Sequence, residues 1–230
     1  MKSYRLIHEL VDLVEKFEGE NNGRELSVQD FAGFLVSHVT EPADESVSGD
    51  IRFGEKAQEA TRMAYQLDNN IGRLVVYMSR YAKFYIKKAL DGTPLQTAED
   101  FTCLAILLTH DDLPKKDLIS YNLQEKTSGT EVIRRLIQAG LAKQLDDVKD
   151  KRSKRVSITD KGKELLYKVF VDMNYVGRIV TGDLSGAEKY TLNYLLQKLE
   201  NFHYRIHQDR SITNKDDLIK TIDQSNPVNK

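Results

Sequence analysis

The sequence contains one cysteine, Cys103, in 230 residues. A single cysteine permits no disulfide within the chain, and such usage is typical of a reducing compartment. There is no run of about eighteen apolar residues of the kind that spans a membrane. The amino terminus has early acidic residues and no uninterrupted apolar core, so it does not resemble a signal peptide. We therefore expect a cytoplasmic protein without a membrane partner.

Motifs of catalytic chemistry are also missing. The chain has no glycine-rich phosphate loop, no nucleophile elbow and no pair of cysteines spaced to hold zinc. His203 and His207 have the spacing of two metal ligands on one helix, but a third ligand would have to come from His8, His38 or an acid elsewhere. We therefore predict that the protein is not an enzyme and uses no cofactor and no metal.

The formal net charge of −1 conceals an uneven distribution. Residues 1–60 contain 6 basic and 13 acidic side chains, whereas residues 115–164 contain 13 basic and 8 acidic ones. A local excess of positive charge favours contact with the phosphate backbone of nucleic acid. A solvated charged hairpin would give the same excess, so charge alone leaves both interpretations open.

The first segment, residues 1–53, is predicted to be a helical extension. Apolar residues recur at helical spacing from residue 3 to 18, and Ser27 with Asp30 marks the start of a second short helix. Residues 40–53 have the composition of a loop. The extension could cover the dimer scaffold that the later helices are predicted to form, contact a partner or lengthen the core, and we favour the first of these.

Residues 54–92 are predicted to form a long helix. They contain no proline, and apolar residues alternate at spacings of three and four, as in a heptad seam. One small domain cannot easily cover so long a seam, which predicts a homodimer. Asn69, Asn70 and Gly72 lower helix propensity, so we expect a bend or a break there.

Residues 93–162 carry the most specific pattern. Thr97 and Asp100 cap one helix, and Pro114 suits the first position of the next, because its missing N–H would have no partner there. Ser128 and Glu131 have the spacing of a capping box, which predicts a further helix that starts near residue 128.

That helix is predicted to end at Gly140, and two short strands follow over residues 141–147 and 154–159. A basic loop separates the strands, and Thr159 is a plausible N-cap for the next helix. The predicted fold is mainly α with a small β-wing, an α+β arrangement built around a helix-turn-helix.

This order of elements resembles the winged helix-turn-helix of the MarR family of bacterial transcription regulators. The residues that match in order and spacing are Gly140-Leu141, Asp150-x-Arg152, Val156-x-Ile158-Thr159 and Gly162. The resemblance covers residues 60–208. It leaves out residues 1–50 and the end of the chain.

The resemblance implies that the helix near residue 128 enters the major groove of double-stranded DNA. Arg134 is the predicted base or phosphate contact, because a guanidinium can bind guanine through two hydrogen bonds. Glu131 either closes the capping box, which we favour, or accepts from cytosine. Arg135 is also predicted to bind DNA, although it points less squarely outward and could pair with an acid instead. Phosphate or sugar contacts are predicted for Thr127, Ser128 and Thr130.

The loop between the strands would act as the wing. Arg152 is implied to reach the minor groove, where narrow A·T segments concentrate negative potential, and Asp150 would orient it through a charge-assisted hydrogen bond. A solvated turn is the alternative for this loop. Non-specific attraction of phosphates is predicted for Lys149, Lys151, Lys154 and Arg155.

Two helices over residues 163–210 would complete an intertwined dimer scaffold, as in the family. The second opens with a capping box at Ser185 and Glu188. Residues 211–230 are polar and are predicted to form a loosely ordered tail. The residues predicted at the dimer interface are Leu67, Ile71, Leu74, Met78, Leu195, Leu199 and Phe202.

Cys103 has two interpretations. Some relatives of the family sense peroxide through a thiol, but Cys103 lies in an apolar run, has no basic neighbour in sequence and does not match the position of that sensor. We favour a small buried side chain.

The favoured function is a homodimeric regulator of transcription that binds a pseudo-palindromic operator and responds to an unidentified small-molecule effector. The alternative is a winged-helix adaptor that binds proteins through its acidic extension and does not recognise a DNA sequence.

Overall fold

The structure is a computed structural model that describes residues 2–21, 27–39, 52–54, 56–147 and 153–225. It divides into two compact units, Met1–Asn69 and Asn70–Lys230. No helix within those described ranges is long and apolar enough to cross a membrane. The elements in chain order are α1 Lys2–Glu20, α2 Val28–Val39, α3 Gln58–Ala64, α4 Leu67–Ala89, α5 Ala98–Leu108, β1 Leu113–Pro114, α6 Lys115–Tyr121, α7 Lys126–Gln138, β2 Ala142–Asp146, β3 Lys154–Ile158, α8 Asp160–Thr181, α9 Gly186–Asp209 and α10 Lys215–Ser225.

In the first unit, α1 and α2 pack through aromatic side chains. The Phe17 ring centroid lies 5.5 Å from that of Phe31 and 5.1 Å from that of Phe34. The Ser27 hydroxyl accepts a hydrogen bond from the Asp30 N–H at 3.1 Å, which confirms the predicted start of α2.

The predicted long helix over residues 54–92 is interrupted. It is divided into α3 and α4 by Tyr65 and Gln66, ahead of the expected weak point between Asn69 and Gly72. The Asn69 side chain donates to the Met63 carbonyl at 2.9 Å, and the Gln66 N–H donates to the same oxygen. The side-chain amide of Asn69 therefore bonds the Met63 carbonyl near the end of α3, where the regular helical hydrogen bonds stop.

The sheet has the order β1-β3-β2 with both pairs antiparallel. Leu113 lies opposite Val156, and Ala142 lies opposite Ile158. The strand β1 was not predicted, and Pro114 is extended at ψ 139° just before α6 rather than its first residue. A two-residue strand has no alternating pattern by which a sequence could reveal it.

The core of the second unit lies between α5, α6, α7, the sheet and the first half of α8. Because the apolar faces of these elements meet there, the helix-turn-helix is held on a rigid base. Its fully buried large side chains are Leu104, Leu107, Leu118, Ile133, Leu136, Leu141, Val156, Leu166 and Val169.

The predicted capping box of Ser128 and Glu131 is wrong. Helix α7 begins at Lys126, and its N-cap, Glu125, makes no side-chain capping bond. The start is set by packing, since Gly129 is buried and a Cβ there would lie 2.8 Å from Ile119 of α6. The close approach of α6 and α7 at Gly129 therefore accompanies a start of α7 at Lys126, two residues before the predicted start near residue 128.

The other predicted helix ends are confirmed. Thr159 accepts from the Gly162 N–H at the start of α8, and Ser185 with Glu188 closes a capping box at the start of α9. Gly140 follows α7 with φ +70°, which favours glycine.

The predicted loose tail is wrong over residues 215–225, where α10 forms. The Asp217 carboxylate accepts from the N–H groups of Thr213 at 2.9 Å and Asn214 at 3.2 Å, and the Asn214 side chain accepts from the Asp216 N–H at 2.9 Å. These bonds satisfy backbone N–H groups at the start of α10. The prediction of a loose tail rested on the polar composition of the segment and missed this capping pattern.

We predict opposite effects for two glycine substitutions in α8. Gly162→Ala should lower the free energy of unfolding by about 2 kcal/mol or more, because the new Cβ would overlap the Leu141 carbonyl oxygen and lie 2.9 Å from Ile158 Cγ1. Gly177→Ala is the matched control, since nothing lies within 4 Å of its added Cβ, and it should stabilise by about 1 kcal/mol. Urea unfolding would measure both, and equal effects would contradict the packing at Gly162.

Candidate nucleic-acid interface

Helix α7 has one buried and one exposed side. Val132, Ile133 and Leu136 are buried in the core, so the opposite side of the helix faces solvent. The residues predicted to bind DNA from this helix that are exposed are Thr127, Ser128, Thr130 and Arg134. The hydroxyl side chains lie in the first two turns of the helix and Arg134 lies in the third. The Thr130 hydroxyl donates to the Lys126 carbonyl at 2.7 Å, whereas groups of the kind that Thr127, Ser128 and Arg134 carry can donate to phosphates and base edges.

Arg134 is held by Glu131 one turn earlier in α7. Its Nε and Nη2 donate to the Glu131 carboxylate at 2.8 and 2.5 Å. Hydrogen bonding from Arg134 lowers the pKa of Glu131, so the carboxylate stays ionised at neutral pH. The predicted capping role of Glu131 is thus replaced by an ion pair with Arg134.

Arg135 does not extend freely from the helix. Its Nη2 donates to the Asp100 carboxylate at 2.6 Å, and the side chain of Asp100 is 1% exposed. Asp100 also accepts from the N–H groups of Gln96 and Thr97 at the start of α5. The predicted pairing of Arg135 with an acid is therefore confirmed, and the pair ties α7 to α5.

The two predicted wing cations that the structure describes, Lys154 and Arg155, are also paired. Arg155 donates to the Asp112 carboxylate and, at 3.4 Å, to that of Asp147, and these partners raise the pKa of its guanidinium. Lys154 pairs with Asp146 across the two strands. The four other predicted wing residues lie outside the described residues: Lys149, Asp150, Lys151 and Arg152.

Three lysines that the sequence interpretation passed over lie beside the exposed side of α7. Lys115 and Lys116 begin α6, and Lys126 begins α7. None of the three forms an ion pair with the acidic residues that the structure describes. The sequence signal for these cations was the pair of lysines that follows Pro114 at the start of α6, the first helix of the helix-turn-helix. In helix-turn-helix proteins the first helix crosses the DNA backbone, so cations in its first turn can lie near phosphates.

Comparison with known proteins bears on what this surface does. A family model described as a winged helix DNA-binding domain matches residues 108–162. No curated protein matches the chain in a sequence comparison. Among solved structures, a MarR transcriptional regulator from Methanosarcina mazei Go1 is 27% identical, with a TM-score of 0.52 over 57% of this chain and 94% of its own.

Two further structures share the fold. A MarR variant from E. coli in complex with operator DNA is 23% identical, with a TM-score of 0.51 over 58% of this chain and 98% of its own. BpsR from Bordetella bronchiseptica, whose DNA binding is described as regulated by 6-hydroxynicotinic acid, is 22% identical, with a TM-score of 0.53 over 57% and 98%.

This chain contains a winged helix with the fold of the MarR structures. The matched residues 108–162 run from the end of α5 to the start of α8 and include the helix-turn-helix and both wing strands. In a winged helix of this order α7 is the second helix of the helix-turn-helix, which lies in the major groove in DNA-binding proteins of that class.

The helices that flank the winged helix expose apolar side chains. Six of the seven predicted dimerisation residues are at least 43% exposed, and Phe202 is half-buried. Leu67 is the most exposed of them at 75%. Further exposed apolar residues on α8 are Val171, Tyr175 and Ile179.

Cys103 is buried in α5 with 1% of its surface exposed. Burial, with a smaller effect from the negative charge of Asp100, raises the pKa of its thiol to about 12. Cys103 therefore has the environment of a core side chain.

His203 and His207 belong to no group of three metal-ligating residues within the described ranges.

We predict that Cys103 reacts with iodoacetamide at about pH 8 far more slowly in the folded protein than in urea, because the thiolate is the reactive form. Mass spectrometry of timed samples would measure the rates. Equal alkylation rates in the two states would contradict this placement.

The raised pKa of Cys103 also makes the free energy of unfolding fall as the pH rises above the ordinary thiol value of 9.0, since the thiol of the unfolded chain ionises first.

Proposed function

We propose that the protein is a MarR-type transcriptional regulator that binds double-stranded DNA through α7. The observation that carries the proposal is the two-sided character of this helix. Its apolar side is packed in the core, its first two turns present exposed hydroxyl groups, and its third turn presents the guanidinium of Arg134. Hydroxyls that bind phosphates would set the position of the helix, and Arg134 would read a guanine in the major groove.

Electrostatics supports the same surface. Lys115, Lys116 and Lys126 are available for phosphates, whereas Arg135 and Arg155 are held by carboxylates. We assign the first three to the DNA backbone and the last two to the stability of the domain. Arg152, with Asp150, remains the proposed minor-groove contact of the wing.

The exposed apolar faces favour a homodimer. A monomer rarely presents so many large apolar side chains, and α4, α8 and α9 each carry a series of them. Pairing with a second copy would cover these faces and repeat the winged helix about a two-fold axis. The expected operator is then a pseudo-palindrome with half-sites about one DNA turn apart.

A small-molecule effector fits this arrangement. The DNA binding of BpsR, which shares the fold, is described as regulated by 6-hydroxynicotinic acid. A ligand that changes the separation of the two α7 helices would change their fit to successive major grooves.

A second candidate function is a protein–protein adaptor. It is favoured by α1, on which Tyr4, Ile7 and Val11 are more than half exposed in an acidic segment. Such an adaptor would bind DNA weakly and without sequence preference.

The deciding experiment is selection of binding sites from random duplex DNA, followed by titration of the selected DNA and a scrambled duplex at several salt concentrations. The regulator should enrich an inverted repeat and bind it at least about 1,000-fold more tightly than the scrambled duplex. Failure to enrich any motif, with weak binding that depends only on salt, would favour the adaptor.

Arg134→Ala should weaken binding to the selected operator by about 10-fold or more, because one base contact contributes about 1–3 kcal/mol. Arg205→Ala on α9 is the matched control, since this exposed arginine bonds only to the Asn201 carbonyl of its own helix among the described residues. Arg152→Ala should also weaken operator binding without lowering thermal stability. Unchanged affinity in the Arg134 variant would remove its proposed role.

Leu74→Glu should dissociate the dimer, because it places a charge in the apolar face of α4. Ser79→Glu, at an exposed polar position of the same helix, should leave the dimer intact. Sedimentation velocity would give the mass of each variant. An unchanged dimer mass for the Leu74 variant would argue against this interface.

A further inference from the structure

The carboxylate of Glu131 connects the surface arginine of α7 to the core of the domain. Its two oxygens accept from Nε and Nη2 of Arg134 at 2.8 and 2.5 Å. One of the same oxygens lies 3.9 Å from Nη1 of Arg135, and Arg135 is held by the buried carboxylate of Asp100. Side chains of alternating charge therefore run from α5 to the exposed side of α7.

This arrangement fixes a negative charge on the side of α7 that is proposed to face DNA. Arg134 and Arg135 follow Glu131 within about one helical turn, so both cations hold its carboxylate in place. Hydrogen bonding from Arg134 also lowers the pKa of Glu131, which keeps the carboxylate ionised at neutral pH. The charge of Glu131 is thus a permanent part of this surface.

The pair leaves part of Arg134 open to a further partner. A guanidinium has five N–H donors in a planar fork, and Glu131 accepts from two of those on Arg134, which leaves three. The Arg134 side chain is 54% exposed beside Glu131. The O6 and N7 acceptors of guanine fit two adjacent donors of this fork. Guanine can use the open edge or replace the carboxylate, and in both cases the charge of Glu131 stays beside the contact.

A fixed negative charge distinguishes between the two partners that DNA offers to Arg134. A phosphate is an anion, so repulsion from Glu131 offsets part of its attraction to Arg134. The edge of a guanine offers two acceptors and carries no net charge, so it meets less repulsion. No acidic residue that the structure describes pairs with Lys115, Lys116 or Lys126, and these lysines remain suited to phosphates.

We propose that Glu131 is a specificity-determining residue that makes Arg134 read a guanine instead of a phosphate. This inference rests on the proposed function and adds to it the residue that sets the choice of partner. Glu131 acts through Arg134 as a positioning residue and contacts no base itself. The lysines and hydroxyls around α7 then bind the DNA backbone, and the pair of Glu131 and Arg134 reads the sequence.

The first step of the test locates the base pair that Arg134 reads. Each base pair of the selected operator half-site would be substituted in turn, and every duplex would be titrated with the wild-type chain and with Arg134→Ala. Substitution of one G·C pair should weaken binding of the wild-type chain by about tenfold or more. The same substitution should have almost no effect on the Arg134 variant, because the contact is already lost.

Glu131→Gln then removes the charge and keeps the length of the side chain. The penalty for substitution of that G·C pair should fall several-fold, and binding to a scrambled duplex should tighten, because Arg134 is free to bind a phosphate. For the scrambled duplex the slope of log K against log salt should steepen by about 0.9, the value for one added phosphate contact. Glu131→Asp keeps the charge and should retain most of the penalty.

Glu125→Gln is the matched control. Glu125 is an exposed acid that directly precedes α7 and makes no side-chain capping bond to it. The substitution removes the same charge from the same end of the helix, but it should leave the penalty at the G·C pair unchanged. Circular dichroism melts of all variants would verify that they are folded.

An unchanged penalty in Glu131→Gln, or an equal loss in Glu125→Gln, would overturn the proposal. A relaxed preference at a different base pair would also overturn it, because Glu131 would then contact a base directly. Equal weakening on operator and scrambled DNA would show a structural role only. If the chain selects no operator, the proposed function fails, but the salt slope on the scrambled duplex still decides whether Glu131 keeps Arg134 from phosphates.

Discussion

The buried ion pair between Asp100 and Arg135 is the interaction on which the geometry of the interface depends. Asp100 accepts from two N–H groups at the start of α5 and from Arg135, which lies in the last turn of α7. A carboxylate that is 1% exposed is tolerable only because each of these donors compensates for lost hydration. Removal of one partner from such a pair costs about 3–5 kcal/mol, because the other charge is left buried without compensation, so both partners have to be present for α7 to pack on α5 as it does.

The cations around this pair fall into two groups. One group of cations is occupied inside the protein, as Arg155 is by Asp112 and Asp147. The other group is available to a ligand, as Lys115 and Lys126 are within the described residues. Arg134 is intermediate, because an exposed carboxylate holds it and a base edge could replace that carboxylate. Replacement of the Glu131 carboxylate on Arg134 favours a group whose two acceptors match the planar guanidinium over a diffuse negative charge.

Local hydrogen-bonding motifs were predictable from sequence where one element decides its own boundary. Thr97 with Asp100 and Ser185 with Glu188 both close capping boxes as predicted, because each box requires only residues within one turn. The same pattern failed at Ser128, where the packing of Gly129 against Ile119 of another helix fixes the start of α7. The strand β1 was missed for a related reason, since two residues become a strand only when β3 lies beside them.

The sequence by itself determined the helix-turn-helix with its two following strands, the two-sided character of α7 and the class of the fold, because periodicity and capping are local properties of the chain. Tertiary structure decided which cations are free. Asp100 is 35 residues from Arg135, and Asp112 is 43 residues from Arg155, so no local pattern could show that these carboxylates neutralise them. The contact between Ser120 and His207, 87 residues apart, likewise depends on tertiary structure, because only folding brings α9 to the helix-turn-helix.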